Sequence, residues 1–233
     1  MNRNLPAMRR QVLEGLALLI AITAFMWAIE GINSLDGQGL DNWGGIHPRN
    51  IGDLWAVFTS WFVHANFSPH LIDNTIPFLF MGAFIALAGA KRLAAVAAIV
   101  ILVGGVGTWL LAPSGTVTFG ASGVVFGFAT YLFARGLFDR NIAELLVGVI
   151  VGFVWGAALV DSVVPHQGVS WQAHVCGAVG GVVAAYVLAT RSRRGAQAPG
   201  PGEVRRPGSG AAAAATPDPL QAHHDALDRI LSG

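Results

Sequence analysis

A serine and a histidine, in two short strings, are the residues of this chain best suited to chemistry. Gly120-Ala121-Ser122-Gly123 opens one long apolar stretch, and Ala173-His174-Val175-Cys176-Gly177 opens another about fifty residues downstream. A serine hydroxyl is a weak nucleophile until a base stands beside it, and an imidazole can take and return its proton. Polar groups in hydrocarbon-facing segments are costly unless they face a protein interior or a wet cavity. The pairing therefore predicts hydrolysis inside a membrane. His64, His70 and Asn74, near the start of a third apolar stretch, add further polar groups to the same reading.

The elements that must position these residues follow from composition. Of 233 residues, 54% are apolar and 12% charged, with 30 glycines. Soluble domains carry about 25% charged residues, so an integral membrane protein is expected. A formal net charge of +1 gives no reason to invoke nucleic acid. The single cysteine, Cys176, excludes an internal disulfide framework and a cysteine-rich metal site.

Six apolar segments are expected to be helical spans: 12–32, 70–88, 93–112, 121–138, 142–164 and 172–190. Most approach the roughly 20 residues that a hydrocarbon core requires. The first is too long for a removable signal peptide and lacks its cleavage site, so it is expected to stay. Arg3, Arg9, Arg10, Lys91, Arg92, Arg135, Arg140, Arg191, Arg193 and Arg194 fall on one side of such a chain, whereas Arg49 falls on the other. The positive-inside rule then puts both termini in the cytoplasm and the first loop (33–69) outside.

With that orientation Ser122, His174, His64, His70 and Asn74 lie at one depth near the outer surface. About 14 residues separate Ala121 from Arg135, roughly 21 Å of helix, so the fourth span is expected to start below the surface. Its first N–H groups lack intrahelical acceptors and suit a developing oxyanion. Gly123 and Gly127, and Gly177 and Gly181, form small-xxx-small faces that let two helices approach closely.

Over residues 12–190 the chain resembles the rhomboid intramembrane serine proteases. The matching pieces are Gly-x-Ser-Gly at 120–123, Ala-His-x-x-Gly-x-x-x-Gly at 173–181, and His70-Leu71-Ile72-Asp73-Asn74, with Trp55 similar to the family's loop tryptophan. The resemblance implies an all-α bundle of six transmembrane helices with an interfacial first loop. It also implies a Ser122–His174 dyad without a triad acid, since neither Asp161 nor Asp73 occupies a third position. Oxyanion donors would be His70, Asn74 and the Ser122 backbone N–H. Transmembrane proteins would be the substrates, cut at small residues near their outer ends, with lipid as the other partner and no cofactor. Three positions depart from the family pattern. His64 precedes His70 by six residues instead of five, Ala56 replaces a loop arginine, and Phe126 takes the place of a ring that stacks on the catalytic histidine.

Blander readings exist for each residue. Ser122 could simply cap its helix, His174 could be a satisfied core histidine, Asn74 could join helices, and His64 could only line the cavity. Trp55, Trp61, Phe58 and Phe62 read as interfacial anchors. A metal on His64, His70 and 174 lacks a carboxylate or thiolate beside it, and His-Glu-x-x-His is absent. Rival classes are a rhomboid-like protein that binds membrane helices without cutting them, and a small-solute transporter. A transporter site is expected at the midplane between repeated halves, and no repeat is present. The expected organisation is a short cytoplasmic N-terminus (1–11), a six-helix core (12–190) and a Gly/Pro/Ala-rich disordered cytoplasmic tail (191–233). Within the tail, 220–231 has a brief amphipathic pattern with no assigned function. Oligomeric state has no sequence signature.

Overall fold

The computed structural model describes residues 5–139, 142–166 and 168–197. Among them the chain is helical with no strand, and one isolated antiparallel bridge pairs Ile46 with Thr118. Six helices carry the architecture: α1 (Leu5–Leu35), α2 (Ile72–Ala86), α3 (Ala90–Leu111), α4 (Ser122–Asp139), α5 (Ile142–Asp161) and α6 (Trp171–Gln197). Short helical turns at Gly39–Gly44, Ile51–Asp53, Ala56–Thr59, Ser60–Phe62 and Phe67–Leu71 fill the loop between α1 and α2.

The apolar surface points outward, as lipid as solvent demands. Leu13, Ile20, Phe25 and Ile32 on α1, and Leu146, Ile150, Phe153 and Val160 on α5, are exposed. Water would penalise that surface; hydrocarbon does not. Helices α1 and α3, and the Trp171–Ala189 stretch of α6, are long and apolar enough to cross a membrane. This is an integral membrane protein.

Helix α4 sits at the centre, packed against α2, α3 and α5. Ten of its 18 residues are buried, on every side of the helix. Against α6 the backbones nearly touch. A Cβ placed on Gly177 would run into the Gly123 carbonyl, and one on Gly181 into the Gly127 carbonyl. Thr130 Oγ1 donates across the same seam to Ala178 O at 2.7 Å.

Two helices run beyond the segments read from the sequence. Helix α1 begins at Leu5, inside the segment read as a separate N-terminus, with Arg10 Nε paired to Glu14 Oε1 at 2.8 Å. Helix α4 matches the 121–138 reading to within one residue at each end, and its last turn is tied by Arg135, whose guanidinium meets Asp139 Oδ2 at 3.3 Å and the Tyr131 hydroxyl at 2.9 Å. Helix α6 continues to Gln197, so 191–197, read as the start of a disordered tail, is helical. The rest of that tail, including 220–231, lies outside the described residues.

The first loop is more deeply built in than a row of interfacial anchors. Trp61 is only 8% exposed and belongs to the core, whereas Phe58 remains exposed and Trp55 packs on Trp43 with ring centroids 4.5 Å apart. Ala56 is buried, and the cation that ties the loop down is Arg49. Its Nη1 donates to Leu110 O and Ala112 O, both at 2.8 Å, and its Nη2 reaches Ser114 Oγ at 2.5 Å. A cation on the last carbonyls of α3 also complements the helix dipole.

Because the α4–α6 seam has no room for a side chain, Gly177→Ala is expected to force the helices apart and destabilise the fold by about 1–3 kcal/mol. Unfolding of purified variants in mild detergent checks this; unchanged stability would contradict the seam described above.

Candidate active site

Four hydrogen bonds from the first loop shape the turn into α4. Ile46 exchanges two with Thr118 (2.8 and 3.0 Å), Gly120 N–H donates to Ser60 O at 2.9 Å, and Ala121 N–H donates to His64 Nε2 at 3.3 Å. Gly120 bends the chain with φ of 115°, a conformation that side chains rarely adopt. The Ala121 carbonyl accepts from Val124 and Val125, so α4 starts at Ser122. The loop thus serves as the template for the serine.

Across the glycine seam, α6 brings His174 to the same point. Its Nε2 lies 2.9 Å from Ser122 Oγ, within hydrogen-bond distance. Its Nδ1 lies 2.7 Å from the main-chain carbonyl oxygen of Ser162, just past the end of α5. A carbonyl can only accept, so Nδ1 carries the proton and Nε2 is free to accept from the serine hydroxyl. The Phe126 ring stacks on the imidazole, centroids 4.5 Å apart and planes 4° from parallel. Held on two edges and one face, the histidine is only 6% exposed.

The remaining sequence-predicted residues gather around Gly120. A Cβ built there would lie 2.9 Å from His70 Nε2 and 4.0 Å from Asn74 Nδ2. His70 Nδ1 accepts from Ala65 N–H at 3.0 Å, which leaves the proton of the neutral ring on Nε2. Asn74 spends one amide hydrogen on His70 O at 2.9 Å and keeps the second. His70, Asn74, Ser122 and His174 line a single cleft of about 900 Å³. His64 does not line it. Fully buried behind the serine turn, it donates from Nδ1 to Phe62 O at 3.2 Å and accepts from Ala121 at Nε2.

Chemically, the arrangement offers a hydroxyl with a base on it, two side-chain donors nearby, and the free N–H groups of a helix start. Among the described residues no group of three or more His, Cys, Asp or Glu side chains is placed to hold a metal. Sequence reasoning missed the Ser162 carbonyl and the Ala65 N–H, since main-chain groups have no residue signature.

The family model of the Rhomboid domain matches residues 51–191, more than half of the chain. This chain belongs to the rhomboid family. An uncharacterized protein of Mycobacterium tuberculosis (strain H37Rv) is 40% identical over 193 residues, which is 79% of each chain. Another from Mycobacterium leprae is 38% identical over 195 residues, covering 80% of this chain and 76% of the relative. The Bacillus subtilis protein named "Putative rhomboid protease YdcA" is 28% identical over 144 residues, 61% of this chain and 71% of its own. The family match takes in Ser60, His64, His70, Asn74, Ser122 and His174 of this rhomboid and leaves Ile46 outside.

Burial in the first loop pushes the His64 imidazole down to about 4, with neighbouring His70 acting the same way and the Phe62 carbonyl opposing both. Because the folded value lies below the ordinary 6.5, the unfolded chain takes the proton first as pH falls. Stability present above about pH 6.5 is therefore expected to drop toward pH 4, and His64→Gln, which keeps an acceptor for Ala121, to flatten that drop. Thermal unfolding in detergent from pH 7 to 4.5 measures it; equal slopes in the two proteins would contradict this assignment.

Proposed function

We propose that this rhomboid is an intramembrane serine endopeptidase that cuts transmembrane segments of other membrane proteins near their outer ends. The observation that carries the reading is the 2.9 Å contact between Ser122 Oγ and His174 Nε2 inside an open cleft. Six crossings by α1 to α6 leave both termini cytoplasmic, in line with the basic residues of the sequence. The cleft then faces outward, where water can enter.

In this reading an unwound stretch of substrate lays a peptide carbonyl against Ser122. His174 Nε2 takes the hydroxyl proton as Oγ bonds to the carbonyl carbon, and the carbonyl oxygen becomes an oxyanion. His70 Nε2–H, the spare Asn74 hydrogen and the Ser122 N–H stabilise that charge, an effect worth about 10²–10³-fold in rate per donor. When the C–N bond breaks, the leaving amine receives the proton from His174. Water then repeats the sequence on the acyl-enzyme and releases Ser122.

The Ser162 carbonyl does here what a carboxylate does in a triad: it fixes the tautomer and steadies the imidazolium. Lying past the end of α5, it also carries the negative end of that helix dipole. Phe126 holds the ring plane.

Purified protein reconstituted with a labelled transmembrane substrate tests the reading. Wild type is expected to cleave, Ser122→Ala and His174→Ala to fall to background, and His70→Ala or Asn74→Ala to lose about 10²–10³-fold in kcat. Cleavage by Ser122→Ala at the wild-type rate would overturn the mechanism. Folded wild type that binds such segments without cutting them would favour a helix-binding protein.

A further inference from the structure

Near the end of α1 lies a polar cluster that the mechanism above does not use. Asn33 is fully buried, as is Glu30 one turn earlier. Asn33 Oδ1 accepts from Leu40 N–H at 3.0 Å, which fixes the direction of the amide. Its Nδ2, with two hydrogens to give, has four acceptors within reach: Glu30 Oε2 (3.3 Å), Asp41 Oδ1 (2.8 Å), Gln38 Oε1 and the main-chain oxygen of His64 (3.1 Å). Turning the amide over would aim Oδ1 at all four, so this orientation is locked.

The last of those acceptors leads into the active site. The His64 carbonyl and the Ala65 N–H belong to one planar peptide unit. Asn33 Nδ2 lies 3.1 Å from its oxygen, within hydrogen-bond distance, and its N–H donates to His70 Nδ1. A hydrogen bond to the carbonyl polarises the unit and strengthens its N–H as a donor. That donor keeps Nδ1 bare and the proton on Nε2, beside Gly120 and the serine turn. The opposite tautomer would point a lone pair at the developing oxyanion.

We infer that Asn33 is a positioning residue: through the 64–65 peptide it sets the tautomer of His70 and so makes His70 an oxyanion donor. The six-residue step from His64 to His70 fits this arrangement. His64 is turned inward to hold Ala121, while its peptide faces α1 on one side and His70 on the other. One residue of the first loop thereby links α1 to both halves of the site.

This inference rests on the protease reading for its kinetic consequence, whereas its structural consequence can be measured without any substrate. Solid-state NMR of the full chain in bilayers, with ¹⁵N-labelled histidine and the His70 signal assigned by its loss in His70→Ala, reports the tautomer directly. Wild type is expected to carry its proton on Nε2, and Asn33→Ala and Asn33→Asp to show the Nδ1–H form. Aspartate keeps an acceptor for Leu40 but has no donor for His64. In cleavage assays both variants are expected to lose kcat with little change in KM, approaching the roughly 10²–10³-fold of direct donor loss. In a His70→Ala background Asn33→Ala is expected to cost nothing further, because both changes remove the same donor. An Nδ1–H form of His70 in the wild type, an unchanged tautomer in folded Asn33 variants, or additive losses in the double variant would each overturn the inference. Absent cleavage by the wild type, with its tautomer as expected, would overturn the protease reading alone.

Discussion

Everything at the site depends on how close α4 and α6 come. The serine is on one helix and the histidine on the other, and both side chains are short. Only where Gly177 lies on the Gly123 carbonyl, and Gly181 on the Gly127 carbonyl, can Oγ and Nε2 meet at 2.9 Å. In lipid no hydrophobic force pushes helices together, so the seam relies on dispersion contacts and interhelical hydrogen bonds such as Thr130 to Ala178. A methyl group at the seam would separate Ser122 from His174 as well as the helices.

A second constraint shapes the surroundings. Burying charge near a membrane is expensive, and the site uses few charged groups. The acceptor for His174 is a main-chain carbonyl, the donor to His70 is a main-chain N–H, and the acceptor for Ala121 is an imidazole held neutral by burial. Each fixes a tautomer without adding a formal charge. Such geometry demands rigid backbone, which explains why the first loop is packed into the core through Trp61 and clamped to α3 by Arg49. Far from a mere connection, the loop holds the serine turn through four hydrogen bonds to Thr118, Gly120 and Ala121.

Much of this was legible in the sequence, for identifiable reasons. Apolar segments mark the helices because lipid leaves the backbone few alternatives. Ser122 and His174 stood out because polar residues rarely open apolar stretches, and the glycine spacings beside them suggested contact. Phe126 over His174 followed from the family pattern. Illegible were the partners that are main-chain atoms, Ser162 O and Ala65 N–H among them, since any residue type can supply them. Helix ends at Leu5 and Gln197 shifted from expectation where an ion pair or simple continuation extended a helix past a charge. Trp61 was misplaced because a tryptophan in an outer loop has the same composition signal whether it anchors in the interface or fills the core. Arg49 was invisible as an anchor because its contacts, at Leu110 to Ser114, lie some sixty residues away in the chain.

The account's central claim is that His174 makes Ser122 nucleophilic. A fluorophosphonate probe, which reacts only with an activated serine, tests that claim without any need to know the natural substrate. Incubation with the full protein in detergent or bilayers, followed by mass spectrometry of the labelled peptide, is expected to place the adduct on Ser122. Labelling should disappear in His174→Ala while the variant remains folded. An adduct that persists without His174, or that forms on another residue, would contradict the account.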